Sequence, residues 1–253
     1  MTIRICMWSG PRNISTAMMR SWENRPDCTV VDEPFYACYL HETGLPHPAR
    51  EAVMASQSID RAKVIRQLTG QPVATPLFYQ KHMTKHMPAG MDMGWCAAMR
   101  HCFLIRDPAE VIASYLKKMP SVDEHDIGIA RQAELFREIS TVTGEPPCVV
   151  DAADVLGDPG AALTSLCDYL GVDFLPESML SWPPGPRESD GVWAPHWYGN
   201  VEQSTGFKRY RRSVPDVPEK YQALCAGART DYEWLGGFRP SKGPKDTVPR
   251  SQP

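Results

Sequence analysis

The sequence predicts an α/β protein, a three-layer α/β/α sandwich around a central parallel sheet. Three observations carry this: short apolar runs alternate with helical patterns, the first run passes through a glycine-containing turn into a helix, and 253 residues with 42% hydrophobic content suffice for one sizeable core. A single domain over 1–238 follows, with 239–253 (SKGPKDTVPRSQP at its end) reading as a disordered tail.

The elements come in order. IRICMW (3–8) reads as a buried strand, and NISTAMMRSWENR (13–25) as a helix with Ile14, Ala17, Met18, Ser21 and Trp22 on one face. CTVVD (28–32) is a second strand, residues 48–68 look helical, PLFYQKHM (76–83) holds a third strand and HCFLIRD (101–107) a fourth. AEVIASYLKKM is a helix opened by Pro108, whose missing N–H costs nothing at a first helical position. A long helix over 126–142 follows, then a strand, a turn and a helix ending at Gly171. Residues 173–203 break the pattern with Pro, Gly and Trp, a segment whose aromatics must pack on something. A last helix covers 217–235, and there is no internal repeat.

Composition narrows the function. The net charge of −3 does not favour nucleic acid, and the one dense basic run, KRYRR at 208–212, is short enough to serve a single small polyanion. No apolar run approaches the roughly 18 residues of a membrane span, and MTIRICMWSG lacks the form of a leader, so a cytoplasmic protein without membrane contact is expected. Eight cysteines without a CxxC pair read as buried thiols, with no metal site.

The turn SGPRNIST follows the first strand. Backbone N–H groups and the positive helix end converge there, which suits phosphate or sulfate. Such a contact contributes only about 0.3–1 kcal/mol, so a charged side chain is needed, and Arg12 supplies it, with hydroxyls from Ser15 and Thr16. The plainer alternative is a helix capped by Asn13 or Ser15. A Walker loop would need a lysine and a spacing that this turn lacks, although Asp107 imitates a metal-holding acid. Cys6 and Arg12 have the C-x5-R spacing of cysteine phosphatases, but Pro11 has no N–H to give a phosphate and Cys6 lies inside the apolar run. After the fourth strand, Arg106 and Ser114 can hold a second phosphate by charge and hydroxyl.

Together the two segments resemble the sulfotransferase family, which has a P-loop-NTPase-like fold and uses 3′-phosphoadenosine 5′-phosphosulfate. SGPRNIST resembles its 5′-phosphosulfate loop, which implies binding by Gly10, Pro11, Arg12, Asn13, Ile14, Ser15 and Thr16; IRDPAEVIASY resembles its 3′-phosphate motif, with Arg106 and Ser114. WYGNVEQSTGFKRYRR is similar to the late loop over the nucleotide, implying Thr205, Gly206, Phe207, Lys208 and Arg209. GPRNIST, DEPFY and FYQKHM resemble small bacterial and plant sulfotransferase-like proteins, in plants sometimes labelled aminotransferase-like; nothing in these residues supports pyridoxal chemistry. The resemblance extends to about 238 and implies no metal requirement. Arg12 stands where many members carry lysine; it supplies charge but is a poor proton donor.

Transfer to a hydroxyl or amine of a small acceptor needs a base. A glutamate in a similar EP context serves some bacterial members, which favours Glu33. His82 or His86 is the runner-up, TKHMP lying near the K-x-H-x-P pattern of the larger cytosolic branch. Lys81 can support the leaving phosphate, and Lys85 is expected to be exposed. Asp32 and Glu33, adjacent after a strand, are expected to point apart. Segments 40–75 and 182–198 are expected to shape the acceptor pocket. A magnesium-dependent kinase and a nucleotide-binding protein without turnover are the alternatives, and the oligomeric state stays open, a homodimer included.

Overall fold

The computed structural model describes residues 2–208 and 215–240. Five strands, β1 (Ile3–Ser9), β2 (Cys28–Asp32), β3 (Leu77–Met83), β4 (Arg100–Ile105) and β5 (Cys148–Asp151), form one parallel sheet in the order β2-β3-β1-β4-β5. The helices are α1 (Ser15–Glu23), α2 (Tyr36–Thr43), α3 (Arg50–Ser56), α4 (Arg61–Gly70), α5 (Pro108–Tyr115), α6 (Glu124–Ile127) and α7 (Ile129–Thr143). They continue with α8 (Ala152–Gly157), α9 (Pro159–Leu170), α10 (Pro176–Met179), α11 (Ala194–Trp197), α12 (Gly199–Glu202) and α13 (Gln222–Gly236). The predicted α/β/α fold is therefore present.

Alternation along each strand divides the core. Cys6, Trp8, Phe78 and Phe103 face one layer, with Phe136 of α7 and Leu235 of α13; Ile5, Met7, Tyr79 and Leu104 face the other, with Met18 and Trp22 of α1 and Leu163 and Leu166 of α9. A third cluster, including Tyr36, Tyr39, Leu40, Trp193 and Tyr198, joins α2 to the segment around α11. All eight cysteines are buried and unpaired. Among the described residues no helix is long and apolar enough to cross a membrane.

The helix after the fourth strand ends at Tyr115 rather than Met119, and the last begins at Gln222 after a short 3-10 turn. Three further helix boundaries differ from the sequence reading, each for a local reason. The first helix starts at Ser15, because Arg12 (φ 61) and Ile14 (φ 53) adopt left-handed backbone. The 48–68 pattern is two helices, because Gln57 is extended and Asp60 caps α4 by accepting from Lys63 N at 3.2 Å. The 126–142 pattern breaks at Gly128 (φ 71), where an added Cβ would lie 3.2 Å from Pro11 Cδ. That break lets α7 begin beside the first turn. Of the predicted tail, positions from 241 on lie outside the described residues.

Candidate active site

The carboxyl ends of β1 to β4 open onto one cavity of about 530 Å³, the place where parallel α/β sheets bind ligands. The turn 11–14, Glu33, Lys85, His86 and Arg106 line it, each just past a strand.

The turn is fastened from below. Asn13 Nδ2 donates to Leu104 O at 2.9 Å and Gln132 Nε2 to the same oxygen at 2.8 Å, tying the turn to β4. Asn13 therefore does not cap α1, and neither does Ser15: the cap position is Ile14, without a side-chain hydrogen bond. A left-handed β-branched residue costs about 1–2 kcal/mol, and here it leaves the first N–H groups of α1 uncapped at the cavity wall. Two cations flank this end. Arg12 Nε donates to Ser114 Oγ at 3.1 Å; Arg106 donates to Arg12 O at 2.7 Å and to Glu110 at 2.9 Å. Burial, then the charge of Arg106, lowers the pKa of Arg12, as expected where positive groups gather without enough anion.

Across the cavity stands a buried charge cluster. Asp32 and Lys81 are register partners on β2 and β3, so their side chains share a face. Glu33 would turn to the other face in an extended chain, but its left-handed backbone (φ 41) returns it to Lys81. Lys81 Nζ thus donates to Asp32 Oδ1 at 2.8 Å, Glu33 Oε1 at 2.7 Å and Tyr198 OH at 2.7 Å. Burial pulls the ammonium down, but the two carboxylates outweigh it and hold Lys81 well above its usual pKa. Burial raises Glu33 above the usual carboxylate range, with Lys81 opposing. Its second oxygen, Oε2, lies 3.9 Å from His86 Nε2. His86 is buried between Tyr36 and Tyr39, ring centroids 4.7 and 4.8 Å away, and neither ring nitrogen has a hydrogen-bond partner. Burial, helped by Lys85 and Lys81, pushes its pKa well below normal, so the ring is neutral.

Not every expected residue reaches the cavity. His82 points to the opposite layer, stacked on Trp8 at 4.3 Å and bonded to Gln80 at 3.1 Å, with burial lowering its pKa to about 3. Gly10 lies behind the turn, where a Cβ would be 3.0 Å from Ile127 O. Thr205 is exposed and offers its carbonyl to Trp182 N at 3.1 Å, whereas Gly206, Phe207 and Lys208 line the wall. Arg209 falls outside the described residues. Two expectations are corrected: Lys85 is half-buried and lines the cavity, and Asp32 and Glu33 converge on one atom. From 40–75 the cavity takes His47, and from 182–198 it takes Trp193, Trp197 and Tyr198. Tyr36 and Asn200 also line the cavity and were not singled out in the sequence, where Tyr36 lies in the DEPFY stretch.

The parallel α/β sheet thus carries, after its first strand, an uncapped turn flanked by Arg12 and Arg106. A family model described as a sulfotransferase domain matches residues 3–233, and the chain belongs to that family. Over 211 residues it is 35% identical to "branched-chain-amino-acid aminotransferase-like protein 2" of Arabidopsis thaliana, covering 82% of this chain and 37% of that protein. Protein 1 of the same name matches at 36%, with 38% of its length covered, so the chain spans less than two fifths of these curated relatives. Among solved structures, the sulfotransferase domain from the curacin biosynthetic pathway superposes with a TM-score of 0.55 at 15% identity, covering 92% of this chain and 98% of that one. A sulfotransferase from Alicyclobacillus acidocaldarius gives 0.52 at 11% identity, with 95% and 98% covered; both likenesses concern the fold.

Proposed function

We propose that this chain moves a sulfuryl group from 3′-phosphoadenosine 5′-phosphosulfate to a hydroxyl or amine of a small-molecule acceptor. The observation that carries the reading is one cavity with two unlike ends: an uncapped helix start beside Arg12 and Arg106, and a buried Glu33 beside an unpartnered His86. The residues present fit the nucleotide. The α1 N–H groups and Arg12 would hold the 5′-phosphosulfate, Arg106 and Ser114 the 3′-phosphate, and Gly206, Phe207 and Lys208 the adenosine side. Bound there, the nucleotide supplies an activated sulfuryl group.

Glu33 takes the acceptor proton at Oε2. Burial raises its pKa against the pull of Lys81, which makes it a stronger base than an ordinary carboxylate. Because an ammonium has only three N–H donors and Asp32, Glu33 and Tyr198 occupy them, Lys81 serves to hold the base rather than to meet the leaving phosphate. Neutral His86 orients the acceptor and is the alternative base. Arg12 supplies fixed positive charge at the donor end. Tyr36, Trp193 and Trp197 give the acceptor end aromatic surface. The kinase alternative loses its acid: Asp107 caps α5 at Ala109 N (2.9 Å) and pairs with Arg229 at 2.9 Å.

Replacing Arg106 tests the two-phosphate site. Arg106→Ala should weaken adenosine 3′,5′-bisphosphate binding by about 1.5–3 kcal/mol in a variant that stays folded, the loss expected for a charged hydrogen bond. Unchanged calorimetric affinity would remove Arg106 from the site.

A further inference from the structure

We infer that Tyr198 is a positioning residue for Glu33, its hydroxyl completing the shell of Lys81 so that one carboxylate oxygen stays bound and the other faces the cavity. The inference rests on the reading of Glu33 as base. Tyr198 lies between α11 and α12, far from Glu33 in sequence, and is buried. Its hydroxyl accepts from Lys81 at 2.7 Å and from Trp193 Nε1 at 3.0 Å and donates to Asp32 Oδ2 at 2.6 Å. Asp32 is thereby held through both oxygens, by Lys81 on one and Tyr198 on the other. Asp32 N-terminal to Glu33 would otherwise compete for Lys81 with its full charge. The tyrosine hydroxyl draws off part of that charge, and Lys81 keeps its third contact on Glu33 Oε1.

The segment carrying Tyr198 is itself fastened to the core. Arg20 of α1 reaches Asp190 at 2.7 Å, Gly191 N donates to Asp32 Oδ2 at 3.4 Å, and Ser181 and Gly206 form an antiparallel bridge. A tyrosine on a segment tied at both sides can fix the rotamer of a buried lysine. The same segment brings Trp197 and Phe207 to the cavity wall.

The experiment reads Glu33 directly and needs no acceptor. Charged and titratable groups facing it are Asp32 beside it, Lys81, Lys85 and His86 from β3 and the turn after it, Tyr36 of α2, and Tyr198. In the full chain labelled with ¹³C at glutamate carboxyls, the Glu33 signal is assigned by its loss in Glu33→Gln. Tyr198→Phe should raise its titration midpoint by about one pH unit or more, because Asp32 then presents its charge unshared. A midpoint that stays put or falls overturns the assignment. If Tyr198→Phe does not fold, Trp193→Phe carries the same test: losing the indole donor weakens the hydroxyl as a donor to Asp32, so a smaller upward shift is expected, and none overturns. Both variants should bind adenosine 3′,5′-bisphosphate within about twofold of wild type, whereas a general loss of structure would abolish that binding and contradict a positioning role. Should the wild-type chain not bind the bisphosphate, the sulfotransferase reading fails, and the role in transfer with it, whatever the titration shows.

Discussion

Glu33 owes its position to one backbone choice, the left-handed turn at the end of β2 that folds its carboxyl back onto Lys81. Glu33→Gln keeps that shape and removes the basicity, so transfer should fall by about 10²-fold or more while bisphosphate affinity holds. Full activity, read as sulfuryl transfer to any acceptor found by screening, would move the role to His86. His82 provides a contrast. Buried in the core with a pKa near 3, it should stay neutral at pH 5, and ring proton shifts measured by NMR check this; a midpoint near 6.5 would contradict the packing. The linkage has a definite sign. His82 and His101 (about 3 and about 4) bind fewer protons folded than unfolded below pH 6.5, so each makes the protein less stable as pH falls, by about 2 kcal/mol at pH 5. Glu33 and Asp151, raised by burial, act in the opposite sense over the carboxylate range. Arg12, Arg106 and Ser114 were legible in the sequence because a charge just past a strand end, and a hydroxyl in the helix that follows it, carry their own meaning. Tyr198 and the Asp32–Lys81 pairing were not, since they depend on strand register and on a left-handed glutamate.

At the scale of elements, the helix periodicity located α1, α5, α7, α9 and α13, and the errors gathered where non-periodic backbone intervenes. Left-handed Arg12 and Ile14 shorten α1, and Gly128 separates α6 from α7; the first has no glycine to announce it, and the second sits inside an otherwise helical pattern. The segment after α10 is the element whose role was least legible, because it is organised by bridges and side-chain ties rather than by period. Gly206 tests it. An added Cβ would lie 2.8 Å from Leu180 O, a backbone atom that cannot step aside cheaply. Gly206→Ala should therefore cost about 1–3 kcal/mol in urea unfolding and weaken bisphosphate binding, since Phe207 and Lys208 on the cavity wall must shift with it. Unchanged stability and affinity would mean that this segment does not help to form the donor wall.

The whole molecule follows from alternation: strands buried on both faces require helices on both faces, which the sequence conveyed without stating the strand order β2-β3-β1-β4-β5. That order makes the site, because β1 lies between β3 and β4 and so brings the first turn between Lys81 on one side and Arg106 on the other. Membership of the sulfotransferase domain family agrees with this arrangement, and the two-ended cavity gives it a chemical sense. Calorimetric titration with adenosine 3′,5′-bisphosphate, ATP with magnesium, and AMP, using chelator in the metal-free arms, tests the central claim most directly. Tight metal-independent binding of the bisphosphate, with AMP unable to compete, is the expected result. Binding of ATP with magnesium alone would contradict it.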